Sequence, residues 1–264
     1  MALIHVDFFS EVLGMSSQLD VILPQKTHGE IGISSAGKRD RYPVLYLLHG
    51  MTDNQTTWQR NTSIERYAAE KGIAVVMPTC HLGWYTDMKC GFRYYTYIAK
   101  EVPDICRRFF PCISDRREDT FTAGNSMGGY GAMKLALSRP DYFGAAASLS
   151  GGLDASTCAK RNGDAFYPTL WEDIFGDQEN IKGSENDLFA LAGKIEPGRR
   201  PRLYMWCGTE DFLYDQNVAM REHLEMLSYD LTYRECPGDH SWKYWDARIK
   251  DVLDWMIPDE KEGE

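Results

Sequence analysis

The sequence predicts an α/β fold in which helices cover both faces of a mostly parallel sheet. Short apolar runs alternate with longer stretches of helical pattern along most of the 264 residues. From Val44 onward the apolar runs are nearly continuous, which is typical of strands that are buried on both faces. Alternating strands and helices imply a parallel sheet that is wrapped on both sides.

Eight apolar segments are the predicted strands, and the first two are joined through Gly14 and Ser16 as in an antiparallel hairpin. The strands are predicted over Leu3–Phe9, Leu19–Leu23, Val44–Leu48, Ile73–Pro78, Thr120–Ala123, Ala145–Leu149, Leu203–Cys207 and Leu231–Glu235. Helices are predicted over Ile64–Glu70 with Gly72 as C-cap, Ile98–Phe110 with Pro103 in a first turn or kink, Met127–Ser138, Asn217–Leu227 and Lys243–Met256.

One stretch, residues 152–200, interrupts this alternation. It is rich in glycine and proline, yet it carries Phe166-Tyr167 and Leu170-Trp171, so it is too aromatic for a disordered linker. We expect one domain over residues 1–264, with a cap or lid inserted within residues 152–200. The tail, residues 259–264, is expected to fray.

Charge and cysteine content exclude several classes of function. The chain has 29 Lys and Arg against 39 Asp and Glu, a net charge of −10, which disfavours nucleic acid and anionic membranes as partners. No apolar run approaches the length of a membrane-spanning helix, and the N-terminus does not resemble a signal peptide. Seven scattered cysteines without a C-x-x-C pair suggest neither a metal site nor a redox dithiol, so we expect a cytoplasmic protein.

The sharpest local motif is Gly124-Asn125-Ser126-Met127-Gly128, which directly follows a predicted strand and opens a predicted helix. This is the context in which G-x-S-x-G forms a nucleophile elbow, a tight turn that presents a serine hydroxyl above the sheet. Ser126 is therefore the predicted nucleophile. A glycine-rich turn that merely packs a helix on the sheet is the alternative.

A serine nucleophile needs a histidine base and an acid that orients it. Among six histidines we favour His240, which lies between the last strand and the last helix. His49 is expected to be a structural neighbour of the site, whereas the remaining histidines are expected to have no catalytic role: His5, His28, His81 and His223. Asp211 is the preferred acid, although Glu210 and Asp215 lie close to it in the sequence.

Acyl transfer also needs two N–H donors for the developing oxyanion. The backbone N–H of Met127, directly after the serine, is one candidate, and that of Met51, after the strand ending in Leu48-His49-Gly50, is the other. Aromatic residues offer a pocket wall, and the predicted wall residues are Trp84, Trp58 and Trp171, with Tyr85, Phe175 and Trp242 as further candidates.

Five segments together resemble the tributyrin esterase branch of the esterase D group, which also contains S-formylglutathione hydrolases and antigen 85-type mycolyltransferases. They are Leu48–Met51, Gly83–Asp87, Gly124–Gly131, Cys207–Tyr214 and Asp239–Trp242. The resemblance spans nearly the whole chain and implies an eight-stranded α/β-hydrolase fold that hydrolyses short-chain acyl esters without a cofactor. It also implies Ser126 as nucleophile, His240 as base, Asp211 as orienting acid, and Met51 and Met127 as oxyanion donors. Asn125 departs from the apolar residue that relatives often carry in the elbow.

The sequence therefore predicts a serine carboxylesterase that acts on small-molecule acyl esters. A thioesterase of the S-formylglutathione type, an esterase for acetylated or feruloylated sugars, and a binding protein that has lost turnover are the alternatives. Self-association into a homo-oligomer is compatible with the sequence.

Overall fold

The computed structural model describes residues 1–25, 31, 41–161 and 168–258. Within these residues eight strands form one sheet in the order β1-β2-β4-β3-β5-β6-β7-β8. The strands are β1 Ala2–Ser10, β2 Met15–Leu23, β3 Val44–Leu48, β4 Ala74–Pro78, β5 Thr120–Asn125, β6 Ala145–Leu149, β7 Arg202–Gly208 and β8 Leu231–Cys236. All eight predicted strands are confirmed, with ends that differ by a few residues.

The helices lie on both faces of this sheet. They are α1 Thr57–Asn61, α2 Ile64–Lys71, α3 Tyr94–Thr96, α4 Val102–Phe109, α5 Met127–Ser138, α6 Ala155–Arg161, α7 Leu170–Phe175, α8 Leu188–Gly193, α9 Tyr214–Met226 and α10 Trp242–Met256. The predicted C-cap of α2 is confirmed, because Gly72 adopts the left-handed conformation with φ of 63°. Within the described ranges, no helix combines the length and the apolar character needed to cross a membrane.

Burial explains why the central strands read as continuous apolar runs. Every residue of β3, β5 and β6 is buried, and these strands pair in parallel with helices on either side. The buried side chains accordingly form two core clusters, one on each face of the sheet. The carboxyl ends of the parallel strands therefore share one edge, where an α/β sheet holds its ligand-facing groups.

The predicted N-terminal hairpin is confirmed at the edge of the sheet. Strand β1 pairs antiparallel with β2, and Gly14 closes the turn with φ of 68° and an N–H bond to the carbonyl of Ser10 at 2.8 Å. The Glu101 carboxylate accepts hydrogen bonds from Ser10 Oγ and from the N–H of Glu11. The hairpin is thereby tied to the helical segment before α4.

The predicted helix over residues 98–110 is interrupted by a change of helix type. Residues Tyr97–Glu101 form a π-helical turn between α3 and α4, and the Val102 N–H bonds to the carbonyl of Tyr97. Pro103 then stands in the first turn of α4, where its missing N–H costs little. Arg139 donates to the carbonyl of Ala99, which gives that π-turn carbonyl a hydrogen-bond partner.

Three helices within residues 152–200 were not predicted individually: α6, α7 and α8. The described part of this segment packs against α5, where Asn186 accepts hydrogen bonds from Tyr130 Oη at 2.9 Å and from Lys134 Nζ at 2.6 Å. Burial lowers the pKa of Lys134 to about 7. The predictions about Phe166, Tyr167, His28 and the tail lie outside the described residues.

Candidate active site

Ser126 occupies a tight turn between β5 and α5. Its backbone φ of 54° and ψ of −120° lie in a region that is strained for a residue with a side chain. The Ser126 N–H donates to the carbonyl of Leu149 at 3.0 Å, and its own carbonyl accepts from Gly152 at 3.2 Å. Neighbouring backbone thus holds the strained turn in place, with the geometry expected of a nucleophile elbow.

Glycines two residues before and after Ser126 are required by close backbone contacts. A Cβ atom on Gly124 would lie 2.4 Å from the carbonyl oxygen of Gly128, and one on Gly128 would lie 2.3 Å from that of Leu48. The atoms in conflict belong to the backbone of β3 and α5, so they cannot move without displacing a secondary-structure element. The turn and the strand β3 therefore approach each other only because both positions lack a side chain.

We expect Gly128→Ala to destabilise the protein by about 3 kcal/mol or more, because its methyl group collides with the β3 backbone. Chemical denaturation monitored by circular dichroism measures this loss. Gly193→Ala is the matched control, since a Cβ atom there meets nothing within 4 Å. Equal stability of the two variants would contradict the steric account.

His240 and Asp211 meet beyond the ends of β8 and β7. The His240 Nδ1 atom lies 2.8 Å from Asp211 Oδ2 and 3.1 Å from Oδ1, so Nδ1–H donates to the carboxylate. The Asp211 side chain has no exposed surface, whereas 18% of the His240 side chain is exposed. This contact fixes the orientation of the imidazole and leaves Nε2 available to accept a proton.

Hydrogen bonding keeps Asp211 ionised despite its burial. Burial by itself raises the pKa of Asp211, but hydrogen bonds from His240, from the N–H of Leu213 and from the hydroxyl of Ser150 outweigh it, and the pKa lies below its usual range. The Leu213 N–H lies 2.9 Å from Asp211 Oδ1. The alternative acids Glu210 and Asp215 are both exposed. Of the three acids, it is therefore Asp211 that the structure pairs with His240.

The loops that carry these two residues are joined by backbone contacts. The Glu210 N–H donates to the carbonyl of Gly238 at 3.0 Å, and the Thr209 N–H donates to that of Cys236 at 3.0 Å. A Cβ atom on Gly208 would lie 2.1 Å from the Gly238 oxygen, so the approach of the two loops requires glycine. The relative position of Asp211 and His240 is thus set by main chain as well as by side chains.

The loop before Met51 is fixed through three successive carbonyl groups. The Leu48 carbonyl accepts from the Trp58 indole at 3.0 Å, that of His49 from Tyr85 Oη at 2.9 Å, and that of Gly50 from His49 Nδ1 at 2.7 Å. With these carbonyls occupied, the loop has a defined path toward Met51. The Met127 N–H, in the first turn of α5, lacks an intrahelical partner and is free to face an anion.

His49 is buried and takes the structural role expected from the sequence. Its Nδ1–H donates to Gly50, and its Nε2 accepts the N–H of Cys80 at 3.0 Å, which requires a neutral imidazole. Burial lowers the pKa of His49 to about 4. The ring therefore supports the loop and does not transfer protons near neutral pH.

We expect the free energy of unfolding to decrease as the pH falls from about 6.5 to about 4. In this range His49 is protonated in the unfolded state but stays neutral in the folded state. The contribution reaches about 3 kcal/mol below that window. Urea unfolding at pH 7, 5.5 and 4.5 measures it. His49→Gln is expected to be less stable at pH 7 but to show a shallower dependence on pH; parallel curves for the two proteins would contradict this origin.

Ser126 and His240 line one cleft of about 220 Å³. The residues around it are Gly50, Met51, Thr52, Asp53, Asn125, Ser126, His240, Trp242 and Trp245. The structure thus brings together the predicted nucleophile, the predicted base and the Met51 loop. Asn125 is 1% exposed, and within the described part of the chain its amide oxygen and nitrogen have no hydrogen-bond partner.

The three predicted wall residues do not line this cleft, so the prediction for Trp58, Trp84 and Trp171 is wrong there. All three are buried, because Trp84 packs edge-on against Trp171 at 5.0 Å and Trp58 packs beneath Trp242 at 5.0 Å. Trp242, a further candidate, does line the cleft. No described residue of 152–200 lines it either, so the lid remains a prediction.

The other described histidines lie outside the cleft. His5 Nδ1 lies 2.7 Å from Asp20 Oδ1, and His81 Nδ1 lies 2.9 Å from Tyr94 Oη. His223 is half-buried, with Nε2 3.0 Å from the carbonyl of Phe189. These contacts give all three rings structural partners.

Thr52 and Asp53 of the cleft lining were missed from the sequence, and so were two residues that support the catalytic pair, Trp245 and Ser150. Trp245 packs edge-on against His240 with ring centroids 4.8 Å apart, and its indole N–H lies 3.2 Å from Ser150 Oγ. Ser150 has φ of 50° and hydrogen-bonds to Asp211. The position of Trp245 one helical turn after Trp242 was the available signal, whereas nothing in the sequence marks Ser150.

Comparison with known proteins identifies the relatives of this chain. Residues 10–256 match the family model described as "Putative esterase". The acetyl esterase of Caldicellulosiruptor saccharolyticus is 31% identical, with 97% of this chain and 98% of that protein covered. The Staphylococcus aureus fluorophosphonate-binding serine hydrolase F is 37% identical with a TM-score of 0.87, covering 98% and 99% of the two chains.

A second Staphylococcus aureus structure, an S-formylglutathione hydrolase, is 36% identical with a TM-score of 0.83 and covers 97% of this chain and 98% of its own. Fold and relatives together define a serine carboxylic ester hydrolase with an α/β-hydrolase fold. The chain belongs to the esterase family whose model it matches over residues 10–256.

Proposed function

We propose that the protein hydrolyses short-chain carboxylic esters through an acyl-enzyme formed on Ser126. The observation that carries this proposal is that the elbow serine shares one cleft with a histidine whose Nδ1 is held by a buried carboxylate. A serine hydroxyl is a weak nucleophile until a base removes its proton, and this arrangement supplies that base.

In the acylation step, Ser126 Oγ attacks the carbonyl carbon while its proton passes to His240 Nε2. The N–H groups of Met51 and Met127 stabilise the negative charge on the carbonyl oxygen. The C–O bond to the alcohol then breaks, and His240 returns the proton to the departing oxygen. A water molecule, deprotonated by His240, then attacks the acyl carbon; the bond to Ser126 Oγ breaks, His240 returns the proton to that oxygen, and the acid is released. Asp211 stays ionised and stabilises the imidazolium in both steps.

The size of the cleft supports small acyl groups. Its volume of about 220 Å³ lies below the range of about 300–1,000 Å³ usual for drug-sized ligands. Trp242 and Trp245 contribute apolar walls on one side. The 31% identity to an acetyl esterase over nearly the full length supports the same conclusion, as does the resemblance to tributyrin esterases.

A series of p-nitrophenyl esters from acetate to decanoate tests the preference. We expect kcat/KM to be greatest for acetate to butyrate and to fall at least about tenfold by octanoate, because a longer chain must leave the cleft or displace its tryptophan walls. A rising trend with chain length would contradict the short-chain assignment, even if Ser126 is the nucleophile.

Thioester hydrolysis of the S-formylglutathione type is the second candidate, favoured by the 36% identity to the staphylococcal enzyme with that name. The same acylation chemistry would serve it, with a thiolate as leaving group. Comparing S-formylglutathione with phenyl acetate separates the two activities.

All seven cysteines are free thiols, which supports a reducing compartment such as the cytoplasm.

A further inference from the structure

The cleft beside Ser126 has an asymmetric charge. Of the residues that line it, Asp53 is the one carboxylate, and lysine and arginine do not occur among them. Asp53 is half-buried and follows the Met51 loop by two residues. Any substrate that fills the cleft therefore comes close to the Asp53 carboxylate, and no lysine or arginine of the lining offsets that charge.

The Asp53 side chain is held against the loop that leads to Met51. The backbone N–H of Asp53 donates to the carbonyl of Gly50 at 3.3 Å. A Cβ atom on Gly50 would lie 3.3 Å from Asp53 Oδ2, so the carboxylate is in contact with this loop. Thr52 between them adopts φ of 72°, so the turn folds back on itself. This turn places the Asp53 carboxylate beside the Met51 loop, where it lines the same cleft as Ser126.

Burial and hydrogen bonding act in opposite directions on Asp53. Burial raises its pKa to about 6, against the lowering effects of the Gly50 N–H and the positive charge of Arg60. At pH 8 the group is therefore ionised. Arg60 is itself exposed on α1 and does not line the cleft.

The charged residues just outside the cleft lining carry both signs and are exposed to solvent, which weakens their influence on Asp53. Glu210 and Asp239 are exposed on the loops that carry Asp211 and His240, and Lys243 lies 3.8 Å from Asp239. The chain as a whole has a net charge of −10. An anionic substrate would thus approach a protein of net negative charge and then, inside the cleft, the carboxylate of Asp53.

We propose that Asp53 is a specificity-determining residue whose carboxylate selects uncharged esters and disfavours substrates that carry a carboxylate near the scissile bond. The inference rests on the proposed function and narrows it. Glutathione conjugates carry carboxylates, so the proposal favours neutral esters over the thioesterase alternative. A charge pair about 5–8 Å apart in a half-exposed cleft changes relative rates by about five- to twentyfold.

A matched pair of acetyl esters tests the proposal at pH 8: 4-acetoxybenzoate, which is anionic, and its neutral methyl ester. We expect wild-type protein to have the lower kcat/KM on the anion, and Asp53→Asn to raise the ratio of anionic to neutral kcat/KM by about five- to twentyfold. Asparagine keeps an oxygen that can accept from the Gly50 N–H. Asp141→Asn, which removes an equal charge at an exposed position away from the cleft, should leave the ratio unchanged.

Ionic strength gives an independent measurement on the wild-type protein alone. Raising salt from about 10 mM to 0.5 M should increase the anionic-to-neutral ratio, because salt screens partly exposed charges. An unchanged ratio in Asp53→Asn together with an absent salt effect would overturn the proposal while esterase activity persists. Absence of Ser126-dependent hydrolysis of the neutral ester would instead overturn the proposed function, and this inference with it.

Discussion

Ser126→Ala is expected to reduce kcat/KM on p-nitrophenyl butyrate by at least about 10⁴-fold, since Ser126 is the one serine among the residues that line the cleft and the one residue there that a nucleophile elbow presents. Alanine tolerates the same backbone region about as well as serine, so the strained turn should persist. Stopped assays of purified variant against wild type measure the loss, and unfolding curves report whether the fold is intact.

Ser228→Ala is the matched control for this change. Ser228 is an exposed serine after α9 that also adopts a positive φ, of 59°. It shares the positive φ without the elbow or the histidine, so its replacement should leave turnover at the wild-type level. Substantial turnover by Ser126→Ala would require a different nucleophile.

Asp211→Asn is expected to lower kcat by about 10³–10⁴-fold with little change in the fold. The asparagine amide can donate to His240 Nδ1, which favours the tautomer with a proton on Nε2, and that nitrogen can then no longer accept the serine proton. The measurement is kcat at saturating p-nitrophenyl butyrate, between pH 6 and 9.

Glu210→Gln and Asp215→Asn are the controls, because both are exposed carboxylates within four residues of Asp211. Each should retain activity within about threefold of wild type, since neither is in contact with His240 among the described residues. A loss in Glu210→Gln equal to that in Asp211→Asn would mean that the orienting acid has been misassigned.

The sheet could be predicted from the sequence because burial on both faces leaves an unambiguous pattern. Strands such as Val44–Leu48 and Ala145–Leu149 consist almost entirely of apolar residues, and a proline or a glycine directly precedes them. The nucleophile elbow could also be predicted, because backbone contacts within the turn and with β3 require its glycines. In both cases the long-range packing restricts which residue types are allowed at each position, so it leaves a pattern in a short stretch of sequence.

The walls of the cleft could not be read in the same way. Trp58, Trp84 and Trp171 have the composition expected of pocket walls, but a tryptophan in a loop packs equally well into a core. Which face it takes is decided by partners remote in sequence, such as Trp242 for Trp58. The contact of Ser150 with Asp211 likewise joins residues that follow different strands, β6 and β7, and no spacing rule signals it.

The helical segment before α4 illustrates a third limit. The apolar pattern correctly indicated a helix through Pro103, but it did not indicate the π-turn over Tyr97–Glu101, whose Ala99 carbonyl accepts a hydrogen bond from Arg139, forty residues away. A change of helix type alters the register of only one turn, so it has little effect on the spacing of the apolar residues in the sequence.

Mass spectrometry of the acylated protein tests the central claim most directly. Wild-type protein mixed with p-nitrophenyl butyrate and quenched in acid within the first turnovers should carry one butyryl group on the peptide that contains Ser126, and Ser126→Ala should carry none. A butyryl group on any other residue would contradict the account. So would steady turnover without detectable acylated protein at a low pH where deacylation is slow.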